Sequence, residues 1–572
     1  MTGAQMILHA LEREGVAAVF GFPGGAIIDV FDKLYDSPVP FYLTRHEQGA
    51  AHAADGYARA SGQVGVCMAT SGPGATNLVT GLATAYMDSI PLVAITGQVA
   101  SHLIGNDAFQ ESDMLGISRS ITKHNYLVKE VDELAGILKA AFYIARTGRP
   151  GPVLVDVPKD IQQASTESLY PEEVSVRGYR PTVKGHPQQI QKAASLISKA
   201  NRPVIFAGGG VISSDAADAL VALAHKIQAP VTTSFMGLGA FPETDALALK
   251  MLGMHGTAYA NYAIQESDLL IAVGVRFDDR VTGDVRKFAP KARIIHIDID
   301  PTTIHKNVQV EVPVVGDVKS VLLDLLDELK PKNHDAWLRQ INDWKAAHPL
   351  VYRQNGSILP QVVIETIAEI TDHEAIIATE VGQHQMWTAQ FYNFKKPRHF
   401  ISSGGLGTMG FGFPAAIGAQ VAHPDATVID IAGDGSIQMN IQELATVAAY
   451  RLPVKIVILN NQSLGMVRQW QAIFYHRRFS NTCLRRNIDC PTHCDGMENC
   501  GIAYVPDYTK LAEAYGIPGY FADRPEQVRP TLEKALKTPG PAVVEFRIDK
   551  EENVFPMVPS GKALDQMLRG IA

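Results

Sequence analysis

The sequence predicts an α/β protein made of three doubly wound parallel-sheet domains, and three observations carry that expectation. Short runs of branched apolar residues recur along the chain, with the composition of strands buried on both faces. Stretches with apolar residues at helical spacing separate them, and such alternation of strand and helix makes a parallel sheet. Glycine-rich or polar loops follow the runs, at the carboxyl edge where open α/β sheets bind their ligands.

Size and composition allow this architecture. A chain of 572 residues has the length for about three or four domains. It is 46% apolar and 19% charged, the balance of a chain that buries large cores. The formal net charge of −8, from 51 basic and 59 acidic residues, argues against a nucleic-acid partner. No apolar run reaches membrane-spanning length and the amino terminus shows no basic–apolar signal, so no membrane is expected and the cytoplasm is the expected compartment. Five cysteines do not suggest a disulfide framework.

The first unit is expected over residues 1–165. The apolar run 19–22 leads into Pro23-Gly24-Gly25, 41–44 into Arg45-His46-Glu47-Gln48, and 64–70 into Ser71-Gly72-Pro73-Gly74. Residues 92–96 end at Gly97-Gln98 and 153–157 at Pro158-Lys159. Glu47 stands where a strand ends and a helix begins; read alone, such an acid complements the helix dipole. A polar, proline-dotted linker follows. The second unit, residues 188–328, places Gly208-Gly209-Gly210 after the run 204–207 and Asp298 after 294–297. A glycine turn with a later strand-end acid often holds a nucleotide, although the strict G-x-G-x-x-G fingerprint is missing.

The third unit, residues 358–548, contains the most informative stretch. Runs 428–432 and 454–459 frame residues 437–451, whose apolar spacing predicts a helix opening at Ser436. Both strands of such a β-α-β unit end at one sheet edge, which collects Gly433-Asp434-Gly435 and Asn460-Asn461. A carboxylate, an amide oxygen and main-chain carbonyls suit Mg²⁺, which usually shares its sphere with phosphates. Glycines let the backbone approach, and free N–H groups at a helix start face an anion. Each piece alone is an ordinary turn former. Together, with about 24 residues between them inside one β-α-β unit, they resemble the thiamine diphosphate motif.

A wider resemblance follows from blocks spread along the chain. They are R-H-E-Q-G-A (45–50), T-S-G-P-G-A-T-N (70–77), D-A-F-Q-E (107–111), L-G-M-H-G (252–256), V-R-F-D-D-R-V-T-G (275–283), V-G-Q-H-Q-M-W (381–387), G-G-L-G-T-M-G (404–410) and G-M-V-R-Q-W (465–470). With them the chain resembles the catalytic large subunits of the acetolactate synthase (acetohydroxyacid synthase) family. The resemblance implies a pyrimidine-binding, a central FAD-binding and a diphosphate-binding domain. It also implies a homodimer or homotetramer with active sites between subunits, and the family often has a separate small regulatory subunit.

The expected reaction is a carboligation in branched-chain amino-acid biosynthesis. Pyruvate is decarboxylated on thiamine diphosphate, and its two-carbon unit passes to pyruvate, giving 2-acetolactate, or to 2-ketobutyrate, giving 2-aceto-2-hydroxybutyrate. By resemblance Glu47 hydrogen-bonds the coenzyme's pyrimidine ring. Asp434, Asn461 and the Ser463 carbonyl match Mg²⁺ ligands, Gln383 and His384 match diphosphate contacts, and Met409 matches the wedge that bends the coenzyme. Gly382, Gly407, Gly433, Gly435 and Met466 complete that set. Trp470 matches the residue that packs against the extra methyl of ketobutyrate, a contact worth about 1–3 kcal/mol of discrimination. Phe109, Gln110 and Lys159 match the partner-subunit wall of the substrate channel. Arg149, His255, Arg276, Asp298 and Asp317 match contacts to FAD, which does no net redox work in this family.

One insertion departs from the family pattern. It carries Cys483, Cys490, Cys494 and Cys500, near residues 483–500, with His493 beside Cys494. Their spacing lacks the tight pairs of zinc sites, and the expectations stay open between a metal or iron–sulfur clip, a redox-sensitive disulfide and inert thiols. Two rival functions also remain on sequence alone: a thiamine- and FAD-dependent pyruvate oxidase, and a non-catalytic nucleotide-binding regulator.

Overall fold

The computed structural model describes residues 1–486, 490 and 506–570. Among these residues the chain forms three six-stranded sheets, and the strands of each pair in parallel. The first contains β1 (Val19–Gly21), β2 (Phe41–Leu43), β3 (Gly65–Ala69), β4 (Leu92–Gln98), β5 (His124–Leu127) and β6 (Pro152–Pro158). The second contains β7 (Pro203–Ala207), β8 (Val231–Thr233), β9 (Ala248–Met251), β10 (Leu269–Val273), β11 (Arg293–Asp298) and β12 (Val312–Val315). The third contains β13 (Ile376–Thr379), β14 (Phe400–Ile401), β15 (Val428–Gly433), β16 (Lys455–Asn460), β17 (Gly519–Ala522) and β18 (Ala542–Arg547).

The outer two sheets share one winding, β2-β1-β3-β4-β6-β5 and β14-β13-β15-β16-β18-β17. The middle sheet runs β12-β11-β10-β7-β8-β9, the doubly wound dinucleotide order with its reversal between β7 and β10. Central strands such as β4 and β6 are buried along their whole length, because crossover helices cover both faces. That burial explains their near-continuous Val, Leu, Ile and Ala.

The first and third domains of one chain share an apolar core. Its axis is a crossing between helix Glu47–Ser61 and helix Gly412–Ala422. Both are rich in Ala and Gly, so their backbones meet almost without side chains between them. A Cβ added to Gly56 would lie 2.1 Å from the Ala415 carbonyl oxygen, and one on Gly418 would lie 1.8 Å from that of Ala53. Gly62, at φ +75°, ends the first helix in the left-handed conformation that glycine adopts freely. The central domain has a core on each side of its sheet, one of them completed by Val558, Leu564 and Met567 from the end of the chain.

One sequence expectation needs correction here. No α-helix opens at Ser436: residues Ile437–Met439 and Ile441–Glu443 are short 3₁₀ turns, and the helix is Leu444–Tyr450. Asn440 interrupts it by donating its side-chain amide to the Gly410 carbonyl at 2.6 Å. Its φ of −136° lies outside the helical range. Of the expected cysteine clip, Cys494 and Cys500 lie outside the described residues; Cys483 makes a short antiparallel bridge to Ser463. Among the described residues no helix is long and apolar enough to cross a membrane.

Candidate active site

The carboxyl edge of the first sheet gathers its polar loops. Glu47 begins its helix behind an N-cap in which His46 Nδ1 accepts the Gln48 N–H at 3.1 Å. Its buried carboxylate takes a 2.9 Å hydrogen bond from Asn77 Nδ2, from the loop after β3. Thr70 Oγ1 accepts the Ala26 N–H at 3.2 Å, and Lys159 Nζ donates to the Gly25 carbonyl at 3.1 Å. Gln110 folds over Gly72, whose Cβ would come within 2.8 Å of the Gln110 carbonyl oxygen. Phe109 is 86% exposed, a large ring left mostly uncovered by the described residues.

The third sheet presents a second cluster at its own reversal point, between β13 and β15. A cavity of about 90 Å³ is lined by Gly382, Gln383, His384, Met409, Gly433, Asp434, Gly435, Asn461, Ser463 and Met466, among others. Asp434 is buried, and its main-chain carbonyl is pinned by Tyr508 Oη at 2.6 Å and Gln438 Nε2 at 2.8 Å. Its Oδ2 has no hydrogen-bond partner among the described residues. Burial pushes this acid up to about 7. A buried carboxylate with a spare oxygen, beside an amide oxygen, fits a divalent cation, which would return it to the charged form.

The neighbouring residues shape the rest of that cavity. Asn461 Oδ1 accepts the Ser463 N–H at 3.0 Å, and its Nδ2 donates to Gln383 Oε1 at 3.2 Å. Gln383 in turn donates to Gln469 Oε1 at 2.9 Å. A Cβ on Gly433 would stand 2.7 Å from the His384 ring, so glycine there lets the imidazole reach the sheet edge. His384 Nε2 is buried without a partner among the described residues, and burial lowers the ring to about 3, leaving it neutral. A diphosphate would complete such a cradle.

A larger cavity of about 750 Å³ touches all three domains. Arg149, His255, Arg276, Asp298 and Asp317 line it together with Gly382, Gly407, Met409, Met466 and Trp470. It opens at the reversal of the middle sheet, where a Cβ on Gly208 would meet the Gly274 carbonyl at 2.2 Å. Arg149 bridges domains, donating to Ser89 Oγ at 2.8 Å and to Asp300 Oδ2 at 3.2 Å. Asp317 accepts Ser214 Oγ–H at 2.6 Å, and burial lowers His255 to about 4. Glycine backbones, the guanidinium groups of Arg149 and Arg276 among others, and strand-end carboxylates suit a dinucleotide's phosphates and ribose.

Several groups that the sequence did not single out complete the picture. The Arg280 guanidinium lies 5.8 Å above the Trp470 ring on the wall of the large cavity. Asp88 holds the loop bearing Gly407 and Met409, accepting the Gly405 N–H at 2.7 Å and Arg59 Nη2–H at 2.9 Å. Glu380, just past β13, accepts the N–H groups of Gly410 (2.7 Å) and Phe413 (3.0 Å) and Ser436 Oγ–H (2.6 Å). Arg280 lies inside the 275–283 block but was given no role there, Asp88 carries no spacing signal, and Glu380 stands at a strand end like the residues that were found. Within the single chain Glu47, Phe109, Gln110 and Lys159 line neither cavity.

Three family descriptions match in chain order: a thiamine pyrophosphate enzyme N-terminal TPP binding domain over residues 1–117, a central domain over 190–325, and a C-terminal TPP binding domain over 380–546. Fold and site thus define a thiamine pyrophosphate enzyme. The acetolactate synthase large subunit of Haemophilus influenzae is 48% identical, with 99% of this chain and 98% of that one covered. The probable acetolactate synthase large subunit of Methanocaldococcus jannaschii is 50% identical over 100% and 96% of the two chains. That of Corynebacterium glutamicum is 49% identical over 98% and 89%. Within the thiamine pyrophosphate enzymes, the chain belongs to the acetolactate synthase large-subunit family.

Proposed function

We propose that the chain condenses two 2-ketoacids as an acetolactate synthase, taking pyruvate as donor and pyruvate or 2-ketobutyrate as acceptor. The observation that carries the reading is the full-length likeness to proteins of that name, because the thiamine pyrophosphate enzyme domains support the coenzyme and leave the second substrate open. Thiamine diphosphate, when bound, supplies the nucleophilic carbon and the electron sink that decarboxylation of a 2-ketoacid requires.

The chain's own residues then have distinct tasks. Asp434, Asn461 and the Ser463 carbonyl would hold Mg²⁺, and Gln383 and His384 with the glycines 382, 433 and 435 would seat the diphosphate. Glu47, held by Asn77, would share a proton with the pyrimidine nitrogen. Met409 and Met466 line both cavities and Gly407 the larger one, giving them an apolar wall. Trp470 gives the acceptor's alkyl group an apolar face, and Arg280 beside it offers a cation to a carboxylate. Arg149, His255, Arg276, Asp298 and Asp317 would hold FAD.

The assembly follows from what one chain lacks. Phe109, Gln110 and Lys159 stand exposed or part-buried at the first sheet's edge, and Glu47 lines neither cavity of its own chain. A second copy, bringing its Asp434 cavity to that edge, would complete the site in a homodimer or tetramer. The printed name of the relatives, large subunit, supports a separate small subunit as a further partner. The test is product analysis with pyruvate alone and with both ketoacids, omitting thiamine diphosphate, Mg²⁺ or FAD in turn. Acetolactate that needs the first two, and a loss of about 100-fold or more in Glu47→Gln, are expected. Acetate with a reduced electron acceptor would instead show an oxidase.

A further inference from the structure

We infer that Glu443 is a positioning residue that sets the start of the Glu47 helix from another domain, and so governs proton transfer at the coenzyme's pyrimidine. This rests on the proposed role of Glu47.

Glu443 lies in the turn that follows the Asp434 loop, yet its carboxylate does not face the Asp434 cavity. It crosses to the first domain and accepts the main-chain N–H groups of Arg45, at 3.0 and 3.1 Å, and His46, at 3.1 Å. Those are the two residues immediately before Glu47. Thr446 Oγ1 fixes the same carboxylate from its own side at 2.6 Å. The group is fully buried, and Gly49 makes room for it: a Cβ there would stand 2.5 Å from Glu443 Oε1.

A neighbouring contact reinforces the grip. Tyr450 Oη accepts the Leu43 N–H at 2.8 Å, and its ring lies 5.0 Å from that of Tyr42. The backbone from β2 into the helix is therefore held by third-domain groups at residues 43, 45 and 46. Nothing in the helix itself would fix that entry so tightly, because the first N–H groups of a helix have no partners within it. A buried carboxylate on those amides supplies charge-assisted bonds, about twice as strong as neutral ones. Displacement of a catalytic group by about 1 Å costs on the order of 100-fold in rate.

The test measures exchange of the coenzyme C2 proton for deuterium in full-length chain loaded with thiamine diphosphate and Mg²⁺, without substrate, by acid quench and NMR. Glu443→Gln keeps the size but removes the charge, and with its oxygen on the Arg45 and His46 N–H groups it turns an NH2 toward Thr446 Oγ1 and the shared Arg45 N–H. Exchange is expected to slow by about 10- to 100-fold while coenzyme saturation is kept. Thr446→Val, a milder change, is expected to slow it less, and Glu443→Asp to restore part of the rate. Parental exchange in both folded, saturated Glu443→Gln and Thr446→Val overturns the proposal, as does weakened coenzyme binding with unchanged exchange. Should Glu443→Gln fail to fold, Thr446→Val decides alone. Glu47→Gln runs alongside: parental exchange in that variant would defeat the reading of Glu47, whereas slowing there and not at Glu443 would defeat only the positioning role.

Discussion

Asp156 lies buried in β6 with no cation beside it. Thr96 Oγ1 and Gln98 Nε2 donate to it at 2.6 and 2.9 Å, yet burial outweighs them and pushes the acid up to about 7. Its value in the unfolded chain is near the ordinary 3.8. Between those values the folded chain keeps a proton that the unfolded chain has lost, so stability falls as pH rises from about 4 to about 7 and levels off above. Glu243 and Asp434 are raised in the same sense. Asp156→Asn is therefore expected to flatten that slope without abolishing it, read from denaturant unfolding at pH 5, 6, 7 and 8. An unchanged slope would mean that Asp156 is ionised throughout. Asp434 and Asn461 were legible because their chemistry coincides with a strand end, whereas Glu47, which read alone only complements a helix dipole, stood out through the resemblance. Glu443 and Asn77 were not legible, since a side chain that serves a distant backbone or a neighbouring loop leaves no spacing in its own segment.

The helix pair Glu47–Ser61 and Gly412–Ala422 shows how little room a single methyl has. With Cβ positions 2.1 and 1.8 Å from carbonyl oxygens, neither Gly56 nor Gly418 admits alanine unless the helices separate. Overpacking of this kind costs about 1–3 kcal/mol. Gly418→Ala is expected to lower the thermal midpoint of the full chain and to lower coenzyme affinity, because Met409 and the Asp88-held loop lead into the displaced helix. A melting temperature equal to the parent's would show the crossing to be compliant. Strands and most helices were readable from period and composition. This crossing was not, as alanine-rich helices carry a weak apolar stripe and their partner lies far along the chain. The expected helix at Ser436 failed for a related reason: its spacing was helical, but Asn440 spends its side chain on Gly410 and breaks the run.

Three parallel sheets in a row, two of one winding and the middle of another, follow from alternation that the sequence displays plainly. What joins them follows from contacts that it hides. The first and third domains share a core, whereas the central domain has one core of its own and a second completed by Val558, Leu564 and Met567 of the tail. It meets the third domain through apolar side chains as well, with Leu238 and Met251 buried in that domain's core and the Phe235 ring 5.0 Å from Phe400, and polar ties such as Arg149 with Asp300, Glu243 with the Phe394 N–H and Lys250 with the Gln390 carbonyl add to them.

The cavity that touches all three domains has a consequence for how the chain comes apart on heating. Units whose cores are largely separate need not unfold in concert, so the bare chain is expected to give a calorimetric trace with two overlapping transitions, one for the central sheet and one for the fused outer pair. A dinucleotide filling the shared space binds only while both stand, and at one hundred times its Kd adds about 2.7 kcal/mol. Loaded with FAD, the proposed occupant, the trace is expected to merge toward a single, sharper peak; the flavin would then be a rivet whose work is done in cooperativity rather than in electrons.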